Sequence, residues 1–477
     1  MTPADWSEGY VVDMAYLHNF HPALAPLNLA CAALAAGVAP PDVDRPFAWL
    51  DLGCGNGFSA ALFAAGHPHA DVWATDFNPA HISHARATAT AAGITNATFV
   101  EASFAALADA SLPGFDMVVL HGIWSWVSPA NRREIVGLLD AHLNPGGLVM
   151  ISYNCHPGWD PLLPLRRLMI AGEGATSERI ERGLATARRL RDAGAAWFQG
   201  NPQASAMLDQ LEHADRSYIA HEFCNAHWSL FHPAEVAAEV APAGLDYVGQ
   251  ARTLDDVDRF WLTAEQSALL ADEPDVAERQ SLRDLILDRR FRNDLFVRDG
   301  EPLSEDAKAA WLDARRFVLA RPRAECALTV DMRAGPIAIP AISTRLLDRL
   351  AQGPATGAAL AGSDRHDVHA ALLTLGALGY IQPALPEADE ALRRASTARF
   401  NAAALDAARM GDPSPALASP ITGSGLRVEP GDQLLLDAWR CGIPLEAMTG
   451  GADATGIDPA ARFRDVRLPL LELLGIA

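Results

Sequence analysis

The first residues that suggest chemistry are three glycines at alternate positions, Gly53, Gly55 and Gly57. They follow an apolar run that contains Asp51, and an alanine-rich segment begins directly after them. This order predicts a buried strand, a tight turn and the start of a helix. Glycines let a backbone approach a ligand closely, and the first turn of a helix offers unpaired N–H groups. The spacing is not the GxGxxG of dinucleotide sites, because position 58 lacks a glycine.

An acidic residue, Asp76, ends the next predicted strand about 20 residues after the turn, where a doubly wound fold places a ribose-binding carboxylate. A helix N-cap is the other role open to an aspartate at this place. The position at a strand end after a glycine turn favours the ligand role.

Polar and aromatic side chains follow the fourth and fifth predicted strands. His121 and Trp126 come after the fourth strand, while Tyr153 and Asn154 end the fifth. Ligands of open α/β sheets lie beyond the carboxyl ends of the strands, so we expect these residues to face a reaction centre. A histidine there is a candidate to bind a ligand or to steer a proton. Plain core packing is the alternative for the tryptophan.

Strands and helices alternate over the first third of the chain. The apolar pattern predicts strands at 48–52, 72–75, 98–100, 117–120 and 148–153, and helices at 58–65, 79–92, 104–108 and 129–142. Such alternation implies a parallel sheet that is covered on both faces. We therefore expect an α/β, doubly wound, Rossmann-like sheet.

The later part of the chain is mainly helical in pattern. Beyond Pro157-Gly158 we expect helices, a short strand at 247–249 and a helix that leads to Arg289–Arg292. Three helices and an edge strand between 344 and 383 resemble a winged helix, and 412–425 is predicted to be a linker or loop. The predicted division is residues 1–160 with an N-terminal flap, a helical domain at 161–300, and a winged-helix-like and helical region at 301–477.

Composition narrows the possible partners and compartments. The 477 residues carry a formal net charge of −21, which argues against nucleic acid as a partner. The six cysteines are scattered without a CxxC pair, as in a reduced cytoplasmic protein without a zinc site. No apolar run reaches the length of a bilayer, so no stable membrane insertion is expected.

The motif Asp51-x-Gly-x-Gly-x-Gly57 with Asp76 resembles the cofactor site of class I methyltransferases that use S-adenosylmethionine. Segments 115–129 and 149–159 are similar to methyltransferases with a "methyltransferase regulatory domain", some of which are rickettsial protein-lysine methyltransferases acting on outer-membrane proteins. The stretches His221-Glu-Phe-Cys-Asn-Ala-His-Trp228 and Arg289-Arg-Phe-Arg-Asn-Asp-Leu295 resemble that regulatory domain itself. The resemblance covers roughly residues 10–300.

The resemblance implies S-adenosyl-L-methionine as cofactor. Asp51 and the glycine turn should hold its amino-acid end, Asp76 should bind the ribose hydroxyls, and Phe77 should pack on the adenine. Ser103 stands where related enzymes often have an acid against the adenine amino group; Glu101 or a backbone carbonyl is the alternative acceptor. The full set of expected cofactor-binding residues is Tyr16, Asp51, Gly53, Gly55, Asn56, Gly57, Asp76, Phe77, Ser103, Phe104 and His121, with no metal ion.

The resemblance also points to lysine side chains of a protein as methyl acceptor, possibly a surface or outer-membrane protein before export. The expected catalytic residues are His121, Trp126, Tyr153 and Asn154. Aromatic faces would hold an aliphatic ammonium by cation–π contact, while the polar groups of Tyr153 and Asn154 orient the amine. A small-molecule methyltransferase and a catalytically silent binding or assembly protein are the alternatives. The sequence leaves open the acceptor, the extent of methylation and whether the chain forms an oligomer.

Overall fold

The computed structural model describes residues 9–14, 19–108, 110–448 and 458–477. A seven-stranded sheet forms its centre, in the spatial order β3-β2-β1-β4-β5-β7-β6. Strands β1 to β5 are parallel, and β7 runs antiparallel to both of its neighbours. The seven strands are β1 (Ala48–Leu52), β2 (Asp71–Asp76), β3 (Ala97–Glu101), β4 (Phe115–Leu120), β5 (Leu143–Asn154), β6 (Leu245–Gln250) and β7 (Phe291–Arg298).

Both faces of the sheet are covered, because alternate side chains of each buried strand point in opposite directions. Trp49 of β1 packs in one core with the first helices, and Leu50 packs in another core on the opposite face. This arrangement confirms the doubly wound prediction. The helices of this part are α1 (Pro26–Ala35), α2 (Phe58–Gly66), α3 (Pro79–Ala91), α4 (Phe104–Ala108) and α5 (Pro129–His142).

Two of these helices begin where the sequence places a cap and a proline. The Asn78 side chain accepts from the Ala80 N–H, and the Ser128 hydroxyl accepts from the Asn131 N–H. Proline follows each cap, and its fixed φ suits the first helical position. These signals explain why both helix starts are predictable from the sequence.

The sheet is completed by residues from the region that the sequence analysis describes as mainly helical. Strand β6 contains the predicted short strand, but β7 was not expected. The helix at Val276–Leu287 ends before the position predicted for it, and the chain then enters the sheet as β7. The helices before β7 are α6 (Leu163–Met169), α7 (Thr176–Asp192), α8 (Ala196–Gln199), α9 (Pro202–His213), α10 (Arg216–Phe223), α11 (Pro233–Val240), α12 (Asp258–Trp261), α13 (Ala264–Ala271) and α14 (Val276–Leu287).

Strand β7 escapes a period-based prediction because its first half is polar and yet buried. The Arg292 guanidinium is fully buried and forms ion pairs with Asp284, at 2.7 Å, and with Asp294, at 2.8 Å. It also donates to Tyr247 and Gln280. Buried charges need partners of this kind, and these partners come from three different elements.

The remaining residues pack against the sheet domain. The predicted linker at 412–425 contains a small buried hairpin, and its strand β13 contacts α2. Helices α16 to α18 and strands β8, β11 and β12 form a compact unit; its likeness to a winged helix stays a prediction. The elements are α15 (Glu305–Ala314), β8 (Arg316–Leu319), β9 (Thr329–Met332), β10 (Gly335–Ala338), α16 (Ile342–Leu350), β11 (Ala355–Thr356), α17 (Gly357–Ala361), α18 (Arg365–Ala377), β12 (Ile381–Ala384), α19 (Glu390–Arg409), β13 (Leu417–Ala418), β14 (Gly425–Leu426), α20 (Pro430–Arg440), α21 (Pro459–Arg462) and α22 (Leu468–Leu473).

The predicted boundaries at 160 and 300 are crossed by these contacts, and the division into three domains stays a prediction. Across the described ranges, no helix combines the length and the apolar character needed to cross a membrane.

Candidate active site

The glycine turn lies directly beyond the end of β1. Gly53, Gly55 and Gly57 have φ values of 83°, 53° and 70°, in the left-handed region that favours glycine. A Cβ on Gly53 would lie 2.1 Å from Ile123 Cδ1, and one on Gly57 would lie 2.5 Å from Ala85 Cβ. The left-handed φ values favour glycine at both positions. At Gly57 the Ala85 methyl and the Phe99 ring also leave no room for a side chain, whereas at Gly53 the Ile123 side chain would have to move.

Asp76 holds this turn from the neighbouring strand. One carboxylate oxygen accepts from the Gly55 N–H at 3.0 Å, and the other accepts from the Asn78 N–H at 2.8 Å. His81 Nδ1 lies 3.2 Å from the second oxygen. Asp76 thus links the turn to the start of α3. The Asp76 side chain also borders a cavity.

Two adjoining cavities lie over the carboxyl ends of the strands. We call the larger one, of about 230 Å³, the turn cavity, and the smaller one, of about 80 Å³, the strand-end cavity. They share Tyr10, Gly53, Gly122 and Trp126. The turn cavity is also lined by Asn19, His21, Leu24, Asp51, Cys54, Asn56, Phe58, Ser59, His121, Tyr218, His221, Glu222 and Phe291. The strand-end cavity is also lined by Thr75, Asp76, Phe77, His81, Ala102, Ser103, Phe104, Ile123, Val127, Ser128, Asn131 and His227.

Most of the residues predicted for the site line one of these cavities. Asp51, Gly53, Asn56, His121 and Trp126 line the turn cavity. The predicted adenine and ribose contacts, which are Asp76, Phe77, Ser103 and Phe104, line the strand-end cavity. Gly55 and Gly57 belong to the turn itself. Tyr16 lies outside the described residues.

Tyr153 and Asn154 are neighbours in β5, but the structure does not bring them together. Asn154 Nδ2 donates to Glu222 Oε1 at 2.9 Å, at the edge of the turn cavity. The fully buried Tyr153 hydroxyl donates instead to Asp294 Oδ2 at 2.5 Å, and its ring packs against Phe231. Neither residue lines either cavity, but Asn154 contacts the cavity residue Glu222, whereas Tyr153 points into the buried charge network, away from the place expected for a residue that orients an acceptor.

His121 is paired with a second histidine from the N-terminal segment. The ring centroids of His21 and His121 are 3.8 Å apart. Burial lowers the pKa of His21 to about 4 and that of His121 well below its ordinary value. Both rings are therefore neutral at physiological pH. His121 Nδ1 is buried without a hydrogen-bond partner among the described residues.

Two carboxyl groups of the turn cavity have strongly altered acidities. Burial, together with the nearby Asp76, raises the pKa of Asp51 to about 7. Burial likewise raises the pKa of Glu222 to about 7, although the hydrogen bond from Asn154 opposes this shift. Perturbed carboxyl groups that share one cavity are a feature of functional sites.

The wall of the turn cavity that α10 provides was not predicted from the sequence. Tyr218, His221 and Glu222 lie on one face of that helix, at the i, i+3 and i+4 positions. The only available signal was the His221-Glu222 pair within a motif of the regulatory domain. The motif gave no indication that this pair faces the glycine turn, since 165 residues separate Gly57 from Glu222.

Comparison with known proteins places this site in a family. Residues 50–147 match the model of a methyltransferase domain, and residues 215–298 match that of a predicted methyltransferase regulatory domain. An uncharacterised protein of Synechocystis, sll1526, is 34% identical over 504 residues that cover 99% of this chain and 100% of that protein. The chain belongs to the S-adenosylmethionine-dependent methyltransferases that carry a regulatory domain.

Two rickettsial proteins are also similar to this methyltransferase. The uncharacterised Rickettsia prowazekii protein RP789 is 25% identical over 286 residues, which cover 57% of this chain and 49% of that protein. The structure of PKMT2 from Rickettsia typhi in complex with AdoHcy has a TM-score of 0.69 at 18% identity, covering 97% of this chain and 98% of that one. At that identity the likeness establishes a common fold.

The residues present in the methyltransferase fit S-adenosylmethionine. The glycine turn offers a surface that side chains would fill, and the buried Asp51 carboxyl suits the cationic amino-acid end of the cofactor. The strand-end cavity combines the Asp76 carboxylate with the aromatic rings of Phe77 and Phe104, which suits a ribose and an adenine.

Proposed function

We propose that this methyltransferase transfers methyl groups to lysine side chains of a protein. One observation carries the proposal: the turn cavity is lined by the carboxylic acid residue Glu222 together with three aromatic residues, Tyr10, Trp126 and Tyr218. Aromatic faces attract a cation, and a carboxylate neutralises one. This lining suits an aliphatic ammonium better than an anionic or a purely apolar acceptor.

The chain's own residues would divide the work between the two cavities. Asp51 and the turn bind the amino-acid end of S-adenosylmethionine, and Asp76 accepts hydrogen bonds from its ribose. Phe77 and Phe104 pack against the adenine, and Ser103 accepts from its amino group. When bound, this cofactor supplies a methyl group activated on a sulfonium sulfur.

Neutral histidine suits the centre of such a site. His121, held uncharged by burial, places no positive charge beside a cationic donor. Trp126 joins the two cavities and donates from Nε1 to the Glu222 backbone oxygen at 3.2 Å, which fixes α10 against the end of β4. A lining that is held in a fixed position would help to align the acceptor with the donor.

The acceptor protein is part of the proposal. The name of the rickettsial neighbour PKMT2, read with the resemblance to protein-lysine methyltransferases, favours a protein over a small molecule. A surface or outer-membrane protein that is methylated in the cytoplasm before export fits this assignment. The methyltransferase itself is acidic, with a net charge of −21, which favours lysine-rich segments as acceptors.

Transfer of a labelled methyl group tests the proposal. The full chain is incubated with methyl-labelled S-adenosylmethionine and a native bacterial extract, and the products are separated on a small-pore filter. We expect the label in the protein fraction, on lysine Nζ by mass spectrometry. Label that passes the filter would support the small-molecule alternative, and absence of turnover by a folded, donor-binding chain would support the binding protein.

A further inference from the structure

Glu222 is held at the turn cavity by two strand ends. Its carboxyl accepts from Asn154 at the end of β5, and its backbone oxygen accepts from Trp126, which follows β4. Asp215 caps the start of α10 by accepting from the Ser217 and Tyr218 N–H groups. The Glu222 carboxyl therefore has a fixed position relative to the strand ends, although it belongs to the inserted helices.

Among the described groups that face Glu222, few change charge near neutral pH. On its own helix, burial and Glu222 raise the pKa of Tyr218 to about 12. From the N-terminal segment and the end of β4, His21 and His121 are held neutral by their lowered pKa values. Asp51, near the end of β1, is the group in this cavity that also titrates close to neutral pH, since burial raises its pKa to about 7. Cys54 of the glycine turn stays protonated, because burial raises the pKa of its thiol well above the ordinary value. Tyr10 and His221 complete these surroundings.

We infer that Glu222 is the proton acceptor for the methylated amine, an inference that rests on the proposed function. A lysine reaches the cavity as an ammonium, whose nitrogen has no lone pair for attack. The N–H bond breaks, its electrons stay on nitrogen as the lone pair, and an O–H bond forms on Glu222. The proton then passes to water, which regenerates the carboxylate for the next acceptor.

A proton acceptor must lie close to both donor and acceptor and must be ionised, and Glu222 meets both requirements. Its carboxyl lies in the same cavity as the turn that belongs to the donor site, so an acceptor between them reaches both. The amide of Asn154 holds one carboxylate oxygen and favours the ionised, proton-accepting form. Asp51 shares the cavity but lies near the end of β1, directly before the glycine turn, where the proposed function assigns it to the donor.

The variant Glu222→Gln tests this role, with Glu265→Gln, an exposed change at the start of α13, as the matched control. In single-turnover transfer to the identified lysine, the wild-type rate should rise as pH increases through about 7. With the donor at saturation, so that titration of Asp51 does not enter through donor binding, Glu222→Gln should be slower by roughly 10²–10⁴-fold and lack this midpoint, with donor affinity unchanged. Glu222→Asp, which keeps the carboxyl, should retain a midpoint at a reduced rate and guards against misfolding of the first variant.

Binding of n-butylammonium to the complex with S-adenosylhomocysteine gives a readout that does not need turnover. By calorimetry, wild type should bind this probe more tightly as pH rises through about 7, while Glu222→Gln should bind it weakly at every pH. If lysine is methylated but Glu222→Gln keeps the wild-type rate and midpoint, the inference falls and the proposed function stands. If the label is found on an atom other than an amine nitrogen, the proposed function is wrong. Independently of that result, butylammonium binding that is the same in wild type and Glu222→Gln would overturn the inference about Glu222.

Discussion

Tyr153 and Asn154, the last two residues of β5, have side chains that point in opposite directions. Asn154 contacts Glu222 in the turn cavity, while Tyr153 contacts Asp294 in the buried charge network around Arg292. Successive side chains of a strand point to opposite faces, so only one of the pair can face an acceptor. Of the two, Asn154 is the one that contacts a residue of the turn cavity.

The substitution Asn154→Ala should move the pH dependence of methyl transfer. It removes the hydrogen bond that favours the ionised form of Glu222, so the pKa of that carboxyl should rise above about 7. The midpoint of the rate profile should rise with it, and transfer at pH 7 should fall while donor affinity is kept. Rate profiles between pH 6 and 9, with calorimetric donor binding, measure both effects.

Tyr153→Phe is the matched control for this experiment. It removes a hydrogen bond to a buried carboxylate, which is worth about 1.5–3 kcal/mol of stability, so its melting temperature should fall. Its pH midpoint should stay at the wild-type value. A midpoint that moves in Tyr153→Phe and not in Asn154→Ala would reverse the roles that we assign to the two residues.

Helix α2 connects the site to the rest of the chain. It begins directly after Gly57, and every one of its residues is buried. Its first residue, Phe58, lines the turn cavity and also packs against Phe400 of α19, with ring centroids 5.7 Å apart. The position of Phe58 in the cavity wall therefore depends on the packing of α2 against the C-terminal region.

The last residue of α2 should be sensitive to a single methyl group. A Cβ on Gly66 would lie 2.5 Å from the Gly423 carbonyl oxygen, whose backbone has little room to move. Gly66→Ala should therefore destabilise the chain by about 1–3 kcal/mol, as overpacking typically does. Thermal and denaturant unfolding of the full chain measure the change.

Gly137→Ala in α5 provides the control for the same chemical change in a helix. Its Cβ would meet nothing within 4 Å, so alanine should be neutral or stabilise by about 0.5–1 kcal/mol. Equal effects of the two substitutions would mean that helix propensity, and not the contact with Gly423, decides the result at Gly66.

At the scale of the whole molecule, the C-terminal region shares a core with the sheet domain. Leu385, Phe400 and Ala418 pack in the same buried cluster as Trp49 and Phe63. The Arg427 guanidinium donates to the Phe20 backbone oxygen at 2.5 Å, next to His21 of the turn cavity. Contacts of this kind make the C-terminal region a structural support for the site.

A chain that ends at residue 300 should consequently lose cooperative folding, because α1 and α2 would expose their apolar faces. Phe400→Ala tests the same contact without deletion and should cost about 3–5 kcal/mol of stability. Met410→Ala, at an exposed apolar residue just after α19, should change stability by less than about 0.5 kcal/mol. Calorimetric melting of the wild type, the 1–300 chain, Phe400→Ala and Met410→Ala measures these differences in stability. A soluble 1–300 chain that binds S-adenosylmethionine normally would show that the C-terminal region is an independent domain.

The sequence by itself determined the sheet strands β1 to β5 and the cofactor side of the site. Glycines that need left-handed φ values, and an acid at the end of the next strand, are local features that spacing reveals. The prolines after Asn78 and Ser128 set two helix starts in the same local way. The resemblance to methyltransferases began with the glycine turn and Asp76 and was narrowed by segments 115–129, 149–159, 221–228 and 289–295.

Only the tertiary structure decided which residues meet at the proposed acceptor side. The sheet gains β7 through ion pairs among Arg292, Asp284 and Asp294, whose polar sequence hides a buried strand. Glu222 comes to Asn154 from 68 residues farther along the chain, on a helix whose pattern alone does not tell which face meets the cavity. Long-range packing sets both placements, and no periodicity within a single segment encodes them.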